Sequence, residues 1–129
     1  MFFLNPPRLR TGSPLWLRLP DETAVDAAVR LGRALEATTL AIQGPPGSGK
    51  TYTAAEMIVA LVSDGRHVGV TANSHKVIGN VLDMVGEAAA RAGIAVRLGQ
   101  KTGPDEEPTC AAARQIGRAS CRERVYVLV

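Results

Sequence analysis

Gly44-Pro45-Pro46-Gly47-Ser48-Gly49-Lys50-Thr51 decides the fold. The eight residues fit the pattern G-x-x-x-x-G-K-[ST], which carries meaning only between a strand and a helix. Both are expected here. The apolar run Thr39-Leu40-Ala41-Ile42 precedes the loop, and an amphipathic run follows it. A glycine-rich loop of this kind bends until successive backbone N–H groups point inward, forming a concavity for an anion. The helix that follows adds unpaired first-turn donors and a positive dipole end. Gly44, Pro45, Pro46, Gly47, Ser48, Gly49, Lys50 and Thr51, with Tyr52 just beyond, are thus candidates to line a phosphate cradle. Lys50 would reach terminal phosphates and the Thr51 hydroxyl would hold Mg²⁺. At Gly47 and Gly49 a side chain would collide with the ligand or forbid the backbone angle. The competing reading is a chance match in a glycine-rich turn, which the strand–loop–helix setting disfavours.

Working outward, residues 1–20 carry four prolines (Pro6, Pro7, Pro14, Pro20) and three arginines (Arg8, Arg10, Arg18). This reads as an extended connector, with Leu15, Trp16, Leu17 and Leu19 leaning on the domain. Asp21 is the expected N-cap of a first helix, along which Val25, Ala28, Val29, Leu31 or Gly32, and Leu35 recur at helical spacing to about Ala37. Residues 40–43 form the first expected strand, and a helix over Thr51–Ser63 ends at Gly65. A second strand is expected over Arg66–Ala72. A third helix follows, capped at Asn73-Ser74, with the stripe Val77, Ile78, Val81, Leu82, Val85 and Ala89, closed by Gly93. A third strand is expected over Ile94–Leu98. Strand and helix in alternation imply right-handed crossovers, hence an α/β fold whose parallel sheet carries flanking helices. Gln100–Pro108 is polar and reads as a loop. Its acidic triplet Asp105-Glu106-Glu107 reads as solvated surface, since three adjacent carboxylates do not converge on an ion.

At 129 residues the chain holds at most one domain. Hydrophobic residues make up 46% and aromatics 4%, so the core must be aliphatic. The net charge of +3 is compatible with nucleic acid without arguing for it. Cys110 and Cys121 fit no metal or redox spacing and read as unpaired thiols of a reducing cytoplasm. No apolar run approaches the roughly 18 residues of a membrane span, and Met1-Phe2-Phe3-Leu4 is too short for a signal peptide.

Open parallel sheets bind ligands beyond the carboxyl ends of their strands. The loop Thr71-Ala72-Asn73-Ser74-His75-Lys76 leaves the second expected strand at that edge, beside the phosphate loop. Its short donors and acceptors at a helix N-terminus suit a nucleic-acid backbone. They equally suit a plain helix cap with exposed neighbours. Both readings stand on spacing alone.

Ala41-Ile42-Gln43-Gly44-Pro45-Pro46-Gly47-Ser48-Gly49-Lys50-Thr51-Tyr52-Thr53 resembles motif I of superfamily 1 helicases of the Upf-like branch, and Val70–Ile78 is similar to their motif Ia. The combined wording is most like the helicase half of RecB-like nuclease–helicase fusion proteins, over about Leu19 to Leu98. The resemblance implies a P-loop NTPase of RecA-like type, incomplete here, with ATP and Mg²⁺ as cofactors. Lys50 and Thr51 would then be catalytic, with Thr51 on the metal. Asn73, Ser74 and His75 would touch single-stranded DNA, with RNA as the alternative. The remainder of the motor and a nuclease domain would be partners, and no membrane is implied. The chain departs from the pattern in two respects. Asp26-Ala27-Ala28-Val29 has no adenine-reading glutamine, and no Walker B strand or arginine finger follows. The expectation is weak nucleotide binding with little turnover. The resemblance divides the chain into a connector (1–20), a partial motor domain (21–109) and a tail (110–129). Ile116–Val125 resembles translated sequencing-adapter read-through, so the tail reads as unordered or non-native. Two rival functions remain. One is a small P-loop kinase-like phosphotransferase, and the other is a non-catalytic nucleic-acid-binding module.

Overall fold

The computed structural model describes residues 8–10, 18–102 and 107–110, together with the backbone of 114–118. Trp16, Asp105, Glu106 and Cys121, and the readings placed on them, lie outside the described residues. Among the described residues there are three helices: α1 (Ala24–Ala34), α2 (Lys50–Ser63) and α3 (His75–Ala92). Helix α2 packs against both of the others.

Helix α1 is capped two residues beyond the expected Asp21. Thr23 is its N-cap, extended at φ −69° and ψ 161°, and its Oγ1 accepts from the Asp26 N–H at 3.1 Å. A hydroxyl in that position satisfies one orphan donor of the first turn. Just before it, Glu22 accepts from Arg30 at 2.6 and 2.7 Å and from the Leu19 N–H at 3.1 Å. The Arg30 guanidinium holds the Glu22 carboxyl well below its ordinary value of 4.5, at about 2. Ala27, Ala28, Leu31 and Gly32 form the buried face. Gly32 permits the approach to α2, because a Cβ there would lie 2.9 Å from Met57 Cε. Arg33 closes the pair with two bonds to the Asp64 carboxylate at 2.8 and 3.0 Å. Part of the N-terminal connector docks here: Leu9 bridges Leu35 in antiparallel sense, with Arg10 N–H donating to Ala34 O and Glu36 N–H to Arg8 O.

Helices α2 and α3 share the main core. Ala55, Ile58 and Val59 meet Ile78, Leu82, Val85, Ala88 and Ala89, with Leu98 and Cys110 added from the later chain. All are aliphatic or small, as the composition requires. Both helices end the same way. Arg66 N–H donates to Leu61 O and Gly65 N–H to Val62 O; likewise Ile94 N–H donates to Ala89 O and Gly93 N–H to Ala90 O. These paired bonds use the orphan carbonyls of each last turn. Val77, expected on the apolar stripe, is instead 49% exposed. The buried row of α3 runs through Ile78, Leu82, Val85 and Ala89, and position 77 lies about 100° around the helix from it.

The expected sheet needs correction. No strand is described at 40–43, 66–72 or 94–98. Val68, Val70, Ala72, Ile94 and Val96 do pack partly buried on the core, alternating with exposed neighbours. Alternation reports which side of an extended chain is buried; it does not report whether the backbone finds a ladder partner. The described strands lie later: β1 (Gly99–Thr102) pairs in parallel with β2 (Arg114–Arg118), from Gly99 opposite Arg114 to Thr102 opposite Arg118. Gln100–Thr102 is therefore strand where a loop was expected. Cys110 is part of the core and 114–118 is β2.

Candidate functional site

The phosphate loop has the shape its residues predict. Gly47 has φ +78° and Gly49 has φ +79°, the left-handed region that costs a side chain about 1–2 kcal/mol. Gly49 is the N-cap of α2 and has no side chain to cap with, so the first-turn N–H groups of α2 receive no bond from it. That is the condition for an anion site at a helix start. Within the loop the Ser48 N–H donates to Pro45 O at 3.3 Å. Gly44 is crowded too, since a Cβ there would lie 2.6 Å from Ser48 Oγ. Thr53 secures the first turn from within, its N–H and Oγ1 both donating to Gly49 O, at 2.9 and 3.1 Å.

Lys50 lies across this loop. Its Nζ donates to Gly44 O at 2.6 Å, to Pro45 O at 2.7 Å and to Ser48 Oγ at 3.5 Å. The ammonium has three donors and no acceptor. All three are occupied by the loop itself, so the cation sits at the loop's rim. A phosphate oxygen would take over these donors in a stronger, charge-assisted bond. Pro45, Pro46 and Thr51 are exposed beside it. The Tyr52 ring is engaged from α3: the Arg91 guanidinium lies 5.6 Å from its centroid and donates to Glu56 at 2.8 Å.

The second candidate loop divides its duties. Asn73 is exposed. Ser74 is the N-cap of α3, extended at φ −146° and ψ 151°, and its Oγ accepts from the Val77 N–H at 3.3 Å. Its hydroxyl proton remains available to an outside acceptor while the oxygen caps the helix. His75 is half-buried, and its carbonyl accepts from Thr109 Oγ1 at 3.0 Å and Gln100 Nε2 at 3.4 Å. The helix-cap reading of this loop is therefore realised in Ser74, and it leaves Asn73 facing solvent.

Sequence reasoning missed the residues beneath that loop. Gln100 is fully buried, and its Oε1 accepts from the N–H groups of Thr109 (2.9 Å) and Cys110 (3.3 Å). Gly79 makes room for Thr109, whose Oγ1 would lie 2.2 Å from a Cβ at that position. One signal pointed there. An isolated glycine inside a helical run often marks close approach of another segment.

Among the described residues, no group of His, Cys, Asp and Glu is placed to hold a metal ion by itself. The loop's Thr51 hydroxyl is the kind of oxygen donor that, with phosphate oxygens, suits Mg²⁺. No helix among the described residues is long and apolar enough to cross a membrane. A family model described as the AAA domain matches residues 21–125. Searches of the curated proteins and of the solved structures returned no match. The matched span takes in the phosphate loop, all three helices and both strands, and the chain belongs to the AAA domain family of P-loop, ATP-binding proteins.

Proposed function

We propose that the chain forms the ATP-binding part of a superfamily 1 helicase motor, using ATP with Mg²⁺ at the Gly44–Thr51 loop and holding single-stranded DNA at Asn73, Ser74 and His75. The carrying observation is the Lys50 ammonium, held on Gly44 O and Pro45 O at the rim of a loop whose two left-handed glycines open onto the start of α2. That arrangement suits terminal phosphates: a cation stands beside the loop and beside a helix start that no side chain caps. The AAA domain match supports the nucleotide. The strand-binding part rests on the motif Ia wording of Val70–Ile78 and on the position of that loop at a helix start. The wording of motif I further favours the RecB-like nuclease–helicase branch, with a nuclease domain and the rest of the motor as partners.

In this reading Lys50 binds and neutralises phosphate charge, Thr51 holds Mg²⁺, and ATP supplies the energy of translocation. Equilibrium titration with a fluorescent, non-hydrolysable ATP analogue tests the nucleotide part. Binding that needs Mg²⁺ and is lost in Lys50→Ala is the expected result. Analogue binding that is indifferent to Lys50→Ala overturns it. A phosphoryl-acceptor screen that found group transfer to a small molecule would replace the helicase reading with the kinase-like one.

A further inference from the structure

We infer that Gln100 and Thr109 are positioning residues for single-strand binding, fixing the first turn of α3 and with it the Asn73–His75 loop; the inference rests on the strand-binding reading above. Gln100 is 0% exposed, and its side-chain amide uses all its capacity. Its Oε1 takes the N–H groups of Thr109 and Cys110, while its Nε2 donates to Thr109 Oγ1 at 2.9 Å and to His75 O at 3.4 Å. Thr109 Oγ1 adds its own bond to His75 O at 3.0 Å. His75 is the first residue of α3. A carbonyl in a first turn already accepts from within the helix, so two further donors on its second lone pair make this an anchored start. Gly79 lies one turn further on, and Thr109 fits the notch left by its missing side chain. Three segments remote in sequence, at 75–79, 100 and 109–110, thus meet at one buried amide.

The consequence is geometric. Ser74 caps α3 through the Val77 N–H, so the exposed Asn73–Ser74 turn moves only as the helix start moves. Helix starts fray unless they are held. Here the hold comes from a polar network around the buried Gln100 amide, with Thr109 at its exposed edge, and such a network stiffens one arrangement only when all its members are satisfied. Sites that must match a fixed ligand geometry depend on such support behind the contacting residues.

The test uses the full 129-residue chain and a labelled oligo-dT of about 12 nucleotides, within the site size of single-strand binders. Thr109→Val is the main variant, because it keeps the shape and removes only the hydroxyl. It should weaken oligo-dT binding about tenfold while shifting ATP-analogue affinity by less than about twofold, as loss of the hydroxyl's two supporting hydrogen bonds at one site predicts. Thr109→Ser should restore binding, and Gln100→Leu should act like Thr109→Val. Hydrogen exchange at the amides of residues 77–79 should speed up in Thr109→Val but not in Thr109→Ser. If Asn73→Ala weakens oligo-dT binding while Thr109→Val binds and exchanges like the parent, the positioning inference falls and the strand reading stands. If the parent chain does not bind oligo-dT, both fall, and ATP-analogue binding is left untouched.

Discussion

The phosphate loop and the loop at the start of α3 reach their shapes by opposite routes. In the first, every decisive contact is local: Lys50 bonds carbonyls five and six residues away, and Gly47 and Gly49 set the turn by backbone angle alone. Residues 45–50 are exposed. In the second, the contacts come from 25 and 34 residues away, through Gln100 and Thr109, and the key amide is buried. A site built from local terms tolerates damage elsewhere in the fold. One built from remote terms fails when any participating segment shifts.

Three substitutions break or sharpen that contrast, taken from the largest effect down, and a fourth stands outside it as a control. Lys50→Ala removes charged hydrogen bonds worth about 1.5–3 kcal/mol each to phosphate, so ATP-analogue affinity should fall about 100-fold or more. Urea unfolding of the same variant should be nearly unchanged, because the side chain is exposed. A large loss of stability would show that Lys50 supports the fold rather than the ligand.

Leu82→Ala empties a fully buried position at the centre of the α2–α3 interface and should cost about 2–5 kcal/mol in urea titration. If the contrast holds, it should loosen the Asn73–His75 loop, read by hydrogen exchange, more than the phosphate loop. Equal loosening of the two would erase the distinction.

Gly79→Ala sets two effects against each other. Helix propensity gains up to about 1 kcal/mol, and the clash with Thr109 costs about 1–3 kcal/mol. An added Cβ would overlap Thr109 Oγ1 and crowd its Cβ and backbone, so thermal unfolding should come earlier. A higher melting temperature would mean that Thr109 is not seated in the notch.

Glu22→Gln should matter least and belongs to neither loop. The Glu22 carboxyl sits at about 2 in the fold against an ordinary 4.5. A depressed carboxyl contributes stability that is present above its unfolded value and lost as pH falls through its folded one. Melting temperature of the parent chain should therefore fall between about pH 4.5 and 2 through this group. In Glu22→Gln that part of the slope should vanish. An unchanged slope would remove Glu22 from the account.

Sequence alone determined the features that close within a few residues. The Gly44–Thr51 loop, the extents of α2 and α3, and the glycine-terminated helix ends all follow from local backbone preference and helical period. Positions that depend on a neighbour's identity were less legible. Asp21 is the expected cap of α1, but Thr23 holds that place because its hydroxyl accepts from the Asp26 N–H. Val77 is apolar yet exposed, since it lies about 100° around α3 from the row at Ile78, Leu82 and Val85, and an edge position is buried only if a neighbour covers it.

Only the tertiary structure decided where strands pair and what lies under the second loop. Alternating burial at 66–72 and 94–98 was readable, but the described parallel ladder is between 99–102 and 114–118. Pairing is a property of two segments, and one segment's pattern cannot supply it. The same holds for Gln100. A lone glutamine in a polar stretch looks like surface. It becomes the anchor of α3 only when folding brings Thr109 into the notch at Gly79 and seals the amide from water.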